Sequence, residues 1–197
     1  HSHSVAEEAF HRAGGLVPVN SMTESFLSPL TSPKKSGRLE RLSGLAAILL
    51  DYHEPRPDEV LIIISNAGIN PVPVELALEA KKRELTVIAI TSLRHAQAVA
   101  SRHPSGQRLF EVADLVIDNY GEAGDGALTF PDLTAKVGPT SLIAGAFIIN
   151  SIVCGVVARF LAKGLTPPVY LSANLPGGDE HNRQLEAKYK ERIKLLG

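Results

Sequence analysis

The chain has no tryptophan, one methionine and one cysteine, Cys154, among its 197 residues. A lone cysteine builds neither an internal disulfide framework nor a cysteine-rich zinc site, and it fits a reducing, cytoplasmic setting. Charge of one sign is lacking too. Twenty Lys and Arg against 21 Asp and Glu give a formal net charge of -1 and a pI of about 6.7. No overall basic field is available to hold a nucleic-acid backbone or an anionic membrane, so neither is expected as a partner. The N-terminus lacks the basic stretch and apolar run of a secretory signal. Only one long uncharged run is found, at residues 142–158. It falls short of the roughly 20 residues of a membrane span and contains Asn150, Ser151 and Gly155, so it reads as a buried helix at a subunit interface. A homodimer is expected on that ground.

The length suits one domain with a full core. Residues 5–13 read as a short helix with Ser2 or Ser4 as its cap, stopped by Gly14 and Gly15. A short extended piece at 16–19 and a Ser-, Thr- and Pro-rich loop at 21–37 follow. Leu39, Leu42, Leu45, Ala46, Leu49 and Leu50 recur at three- and four-residue intervals, which predicts one amphipathic helix ending before Pro55. Residues 60–64 (Val-Leu-Ile-Ile-Ile) form a continuous β-branched run bounded by turn signals, the pattern of a strand buried on both faces. Helical spacing at 72–82, a second apolar strand at 86–90, helix at 96–101 and a third strand at 115–117 complete a βαβαβ order. That order specifies an α/β fold, a three-layer sandwich with a parallel sheet flanked by helices, whose ligands gather at the strand carboxyl ends. Residues 119–134 read as a long loop, 140–164 as a long helix, 169–171 as a last short strand and 180–196 as a charged terminal helix.

The segment most informative about chemistry is Ser65-Asn66-Ala67-Gly68-Ile69-Asn70, between the strand at 60–64 and the helix beyond Pro71. A helix N-terminus carries unpartnered N–H groups and about half a positive charge, and so takes a phosphate. Ser65, Asn66 and Asn70 add side-chain donors, and Gly68 allows close approach of backbone. A helix cap with a tight turn accounts for the same residues.

This loop resembles the phosphate loop of the SIS (sugar isomerase) domain, whose usual form is Ser-x-Ser-Gly-x-Thr. The opening His1-Ser2-His3-Ser4 is similar to the tail of that family's earlier loop, Gly-x-Gly-x-Ser, with Ser2 at the serine position. The likeness continues through Ile90-Thr91-Ser92 and residues 113–118, and implies a single SIS-like domain over 1–197 that lacks its N-terminal helix and first strand. Residues 13–19, 103–106, 136–141 and 178–183 are similar to a phosphoheptose-isomerase-like subgroup. Two positions depart from the pattern: Ala67 stands where the family often has a phosphate-binding serine, and Asn70 where it often has threonine. What the resemblance implies is a phosphorylated sugar held by Ser2, Ser65, Asn66, Ala67, Gly68, Asn70 and Ser92. Ser92 serves equally well as the cap of the next helix.

An aldose–ketose isomerase needs a carboxylate base and a proton shuttle, often His. Glu8 and Glu180 are the candidate bases; His11 and His181 are the candidate shuttles, with His181 first because the resemblance implies a histidine from a helix near the C-terminus. Asp179-Glu180-His181-Asn182 is the densest polar cluster, and an ordinary first turn of a helix would also explain it. His1, His3, Glu8 and His11 are close in sequence but follow no metal-ligand motif, and no metal or other cofactor is expected. Three readings stay open: an enzyme rearranging a sugar phosphate, a non-catalytic sensor binding one, and a purely structural domain whose loop is only a cap.

Overall fold

The structure is a computed structural model and describes residues 1–196. The chain divides into two compact units, one of residues 1–2 and 24–145, the other of residues 3–23 and 146–197.

In chain order the helices and strands are α1 (Ser2–Ala9), α2 (Pro33–Leu39), α3 (Leu45–His53), β1 (Val60–Ile64), α4 (Pro71–Lys82), β2 (Thr86–Thr91), α5 (Leu93–Ala98), α6 (Leu109–Val112), β3 (Leu115–Asp118), β4 (Gly126–Phe130), β5 (Leu133–Pro139), α7 (Ser141–Ala162) and α8 (Gly178–Tyr189). The first unit is built on a parallel sheet ordered β1-β2-β3, with Val60 opposite Thr86 and Ile88 opposite Leu115. The βαβαβ reading therefore holds, and the fold is mixed α/β with a parallel sheet flanked by helices. Ile63, Val87 and Ala89 from the strands, Ala77 and Ala80 from α4 and Leu109 from α6 form one buried cluster. Leu109 is wholly buried, a contribution of about 1.5–3 kcal/mol for a side chain of that kind.

The single helix expected across 39–50 is broken. Gly44 takes a left-handed φ of 88° as the cap of α3, and its N–H donates to Glu75 Oε2 at 2.7 Å. The loop expected at 119–134 contains instead most of an antiparallel hairpin, β4 with β5. Asp125 fixes its base: Oδ1 accepts from the amides of Thr140 and Ser141, and Oδ2 from Ser141 Oγ at 2.6 Å. Burial works against the charge on Asp125, but these bonds outweigh it and hold the carboxyl below its ordinary value.

Helix α7 covers residues 142–158, expected as a helix buried at a subunit interface; within the single chain it is buried along one stripe only. Gly145, Ile149 and Val153 make one narrow buried stripe, whereas Ile143 and Phe147 are exposed by 73% and 74%. By length and composition this helix is apolar enough to cross a membrane. No membrane is implied by that alone, and a partner surface explains such a face equally well.

In the second unit, the pieces expected as short strands meet in one antiparallel bridge, Leu16 with Val169. Backbone bonds from Gly14 to Tyr170, Tyr170 to Gly15 and Val17 to Pro168 extend the contact. Helix α8 begins after Gly177, so Asp179 lies in the first turn and does not cap it.

Candidate functional site

The loop 65–70 leaves the carboxyl end of β1 and enters α4. The first turn of α4 offers an anion nothing: Pro71 and Pro73 have no N–H, and Val72 N–H donates to the Glu40 carbonyl at 3.2 Å. The available amides belong to the loop itself. Those of Asn66, Ala67, Ile69 and Asn70 donate to no group among the described residues, while Ser65 N–H bonds Ile90 O and Gly68 N–H bonds Ser65 Oγ.

Each polar side chain of the loop spends an acceptor on the protein and keeps a donor. Ser65 Oγ accepts from Gly68, leaving its O–H proton. Arg102 Nη1 donates to Asn70 Oδ1 at 2.9 Å; a guanidinium cannot accept, so Asn70 Nδ2 is left over. For Asn66 the assignment runs through a neighbour. Gly121 N–H donates to Asn119 Oδ1 at 2.9 Å, so Asn119 must present Nδ2 to Asn66 Oδ1, also at 2.9 Å, which leaves Asn66 Nδ2 as a donor. Four amides, one hydroxyl and two carboxamide N–H₂ groups thus belong to one six-residue loop, a donor set suited to an oxyanion.

Gly68 has a packing reason of its own. Its φ is +60°, and an added Cβ would lie 3.1 Å from Leu109 Cβ and 3.3 Å from Thr91 Oγ1. It lets the loop pack onto the core. Ser92 is wholly buried; it donates Oγ–H to the Gly121 carbonyl at 2.6 Å and accepts from His95 N–H at 3.1 Å. Its only hydroxyl proton is used, and its capping role is the one the geometry fulfils. Ser2 is the first residue of α1 and half-buried.

Residues that sequence reading passed over complete this cluster. Thr91 Oγ1 and Ser92 N–H both donate to the Asn66 carbonyl, at 3.1 and 2.9 Å. Asp118 Oδ1 accepts from Leu93 N–H and Tyr120 N–H. Arg102, which also donates its N–H to Ile69 O at 2.8 Å, brings a cation to the loop and forms no ion pair among the described residues. The signal for Asn119 was its place: Asn66, Ser92 and Asn119 each lie one or two residues beyond the end of a parallel strand. The turn at 103–106 is closed locally by His103 and Ser105, with His103 Nε2 3.6 Å from Glu75 Oε1.

The candidate acid–base residues belong to the second unit. Glu8 has both oxygens engaged, one by Arg12 and the other by Asn150 Nδ2 at 2.8 Å. Glu180 pairs with Gln184 and Arg183, and those bonds hold its carboxyl below the ordinary value. His181 donates Nε2–H to the Val169 carbonyl at 3.0 Å, which leaves Nδ1 as the nitrogen able to accept a proton. Next to it Asn182 bonds both the N–H and the carbonyl of Leu171 at 2.9 Å, so part of this polar cluster docks α8 onto the chain. His11 pairs with Glu186 at 2.9 Å, and its ring lies 4.9 Å from that of Tyr170. Burial first, and the Glu186 carboxylate second, push the Tyr170 hydroxyl up to about 12. Among the described residues no group of three or more His, Cys, Asp or Glu is arranged to hold a metal.

The family model for the SIS domain matches residues 1–92, a span that takes in β1, the donor-lined loop 65–70, α4 and β2. Over the full chain the similarity is to UPF0309 proteins: 43% identity to one from Geobacillus kaustophilus, 44% to one from Geobacillus thermodenitrificans and 43% to one from Shouchella clausii. Each alignment covers 100% of this chain, and 78%, 79% and 80% of the respective relative. The chain belongs to the UPF0309 family and carries a SIS domain.

Proposed function

We propose that this protein binds a phosphorylated sugar, with the phosphate on the loop 65–70. The observation that carries this reading is the set of unspent donors: the amides of Asn66, Ala67, Ile69 and Asn70, the Ser65 hydroxyl and the Nδ2 groups of Asn66 and Asn70. Arg102 adds a positive charge next to Asn70. The departures at Ala67 and Asn70 cost little here, because Ala67 contributes its amide and Asn70 retains a donor. Gly68 and Ser92, grouped with the ligand residues by resemblance, support the loop from beneath. Ser2 is proposed as a contributor from the start of α1.

Between a sensor and an isomerase, the engagement of Glu8 and Glu180 favours binding without turnover. A general base works best with a raised pKa and a free oxygen, whereas Glu8 is bound at both oxygens and Glu180 is shifted downward. For the isomerase, His181 through Nδ1 is the proposed shuttle, with Glu180 or Glu8 as base. The reading includes a cytoplasmic homodimer assembled through the exposed face of α7. Incubation of the protein with a panel of aldose and ketose phosphates tests it. A thermal shift without turnover supports the sensor, and turnover lost in His181→Ala supports the isomerase. No shift with any phosphorylated sugar or with inorganic phosphate overturns both.

A further inference from the structure

Between Asn119 and Gly121, both tied to the loop cluster, stands Tyr120, with 85% of its surface exposed. Its backbone is left-handed, φ 54°, a conformation that disfavours a side chain of this size by roughly 1–2 kcal/mol. The neighbours enforce it. Asn119 N–H donates to Thr91 O at 2.9 Å, Tyr120 N–H to Asp118 Oδ1 at 3.0 Å, Gly121 N–H to Asn119 Oδ1 at 2.9 Å, and Ser92 Oγ–H to Gly121 O at 2.6 Å. An added Cβ on Gly121 would lie 3.0 Å from Asn119 Oδ1 and 3.4 Å from Asn66 Oδ1, so the segment lies flush against the side chain of the phosphate loop. Nothing in that bonding requires an aromatic ring. An Asn or Gly would take the same backbone with less strain.

We infer that Tyr120 is a sugar-stacking residue, its ring face meeting the C–H face of the ring of a phosphorylated sugar whose phosphate lies on the loop 65–70. An aromatic ring is amphipathic, loses little side-chain freedom on binding, and favours a ligand with an apolar face over a bare anion. The inference rests on the phosphate reading of that loop and adds what the loop cannot supply: discrimination between a sugar phosphate and inorganic phosphate. A rigid backbone matters for that, because a platform locked before binding is not ordered at the ligand's expense.

The test uses the full chain and two probes, inorganic phosphate and the hexose 6-phosphate that gives the largest thermal shift. Tyr120→Ala is expected to weaken the hexose phosphate about 5- to 10-fold, the range of an aromatic contact, and to leave inorganic phosphate unchanged, with Tyr120→Phe within about twofold of the parent. The absence of tryptophan supplies a second readout: tyrosine emission should change on adding the hexose phosphate, and that change should be lost in Tyr120→Phe although binding persists. Equal hexose-phosphate affinity in the parent and Tyr120→Ala overturns the stacking role and leaves the phosphate loop standing. Failure of both probes to bind the parent overturns the loop reading and the stacking role with it.

Discussion

Asn119 donates its Nδ2 proton to Asn66 Oδ1 over 2.9 Å, joining two residues 53 positions apart at the ends of β3 and β1. Because Gly121 N–H occupies Asn119 Oδ1, the pair has one orientation, and that orientation turns the donor of Asn66 outward from the bond. On the proposed reading, recognition of an anion is thus set by a residue that need not touch it.

Asn119→Asp reverses the orientation. The carboxylate still accepts from Gly121, but it faces Asn66 Oδ1 with a second acceptor, so Asn66 turns its N–H₂ toward the aspartate and presents oxygen in its place. Affinity for phosphate should fall by about tenfold or more, the scale of one charge-assisted hydrogen bond replaced by a repulsive contact, with little change in thermal stability. Calorimetric titration checks this; unchanged affinity would show that Asn66 takes no part.

Gly68→Ala tests the packing role of the loop's glycine. Its Cβ would press on Leu109 and Thr91 from a positive-φ backbone, and the two effects together should cost about 2–3 kcal/mol in urea unfolding. A loss below about 0.5 kcal/mol would mean the loop has room to shift.

Asp125 gives the fold an acid dependence. Its folded carboxyl titrates below the unfolded one, so the folded state holds fewer protons, and the stability it contributes is present above about pH 4 and is lost as pH falls through the folded value. Asp125→Asn should be less stable than the parent at pH 7 by about 1–3 kcal/mol, the worth of hydrogen bonds to a charged group, and the gap should close in acid. A gap independent of pH would assign the stabilisation to something other than the charge.

Phe147, on the exposed face of α7, is the residue to change for the proposed homodimer. Light scattering should show the parent as a dimer and Phe147→Glu as a folded monomer, since a carboxylate in an apolar interface has no partner. A monomeric parent at tens of micromolar would remove the dimer from the reading.

The sheet was the most legible part of the chain. Continuous β-branched runs allow few alternatives, and β1 begins and ends where the sequence placed it, while β2 and β3 each run one residue further. Periodicity carried through Leu39 to Leu50 without registering that Gly44 would adopt a left-handed turn, which splits one expected helix in two. The hairpin of β4 and β5 escaped although Leu128-Thr129-Phe130 and Leu133-Thr134-Ala135-Lys136-Val137 alternate apolar and polar residues, because the glycine and proline positions around them read as a loop; Leu128, Phe130 and Leu133 are all about half exposed. For α7, lack of charge reads as burial at a subunit interface, and in the single chain Ile143 and Phe147 are exposed. At the site, the loop was legible as a run of Ser, Asn and Gly after a strand. Its partner Asn119 was marked only by its place just beyond β3, and Arg102 arrives through a tertiary contact that no local spacing encodes.

The most direct test is a titration of the isotope-labelled protein with inorganic phosphate and with a hexose 6-phosphate, followed by amide resonances. The N–H signals of Asn66, Ala67, Ile69 and Asn70 should move furthest, with the Nδ2 groups of Asn66 and Asn70 beside them. Saturable binding that leaves those four amides in place and shifts another part of the chain would contradict the assignment of the loop 65–70 as the phosphate site.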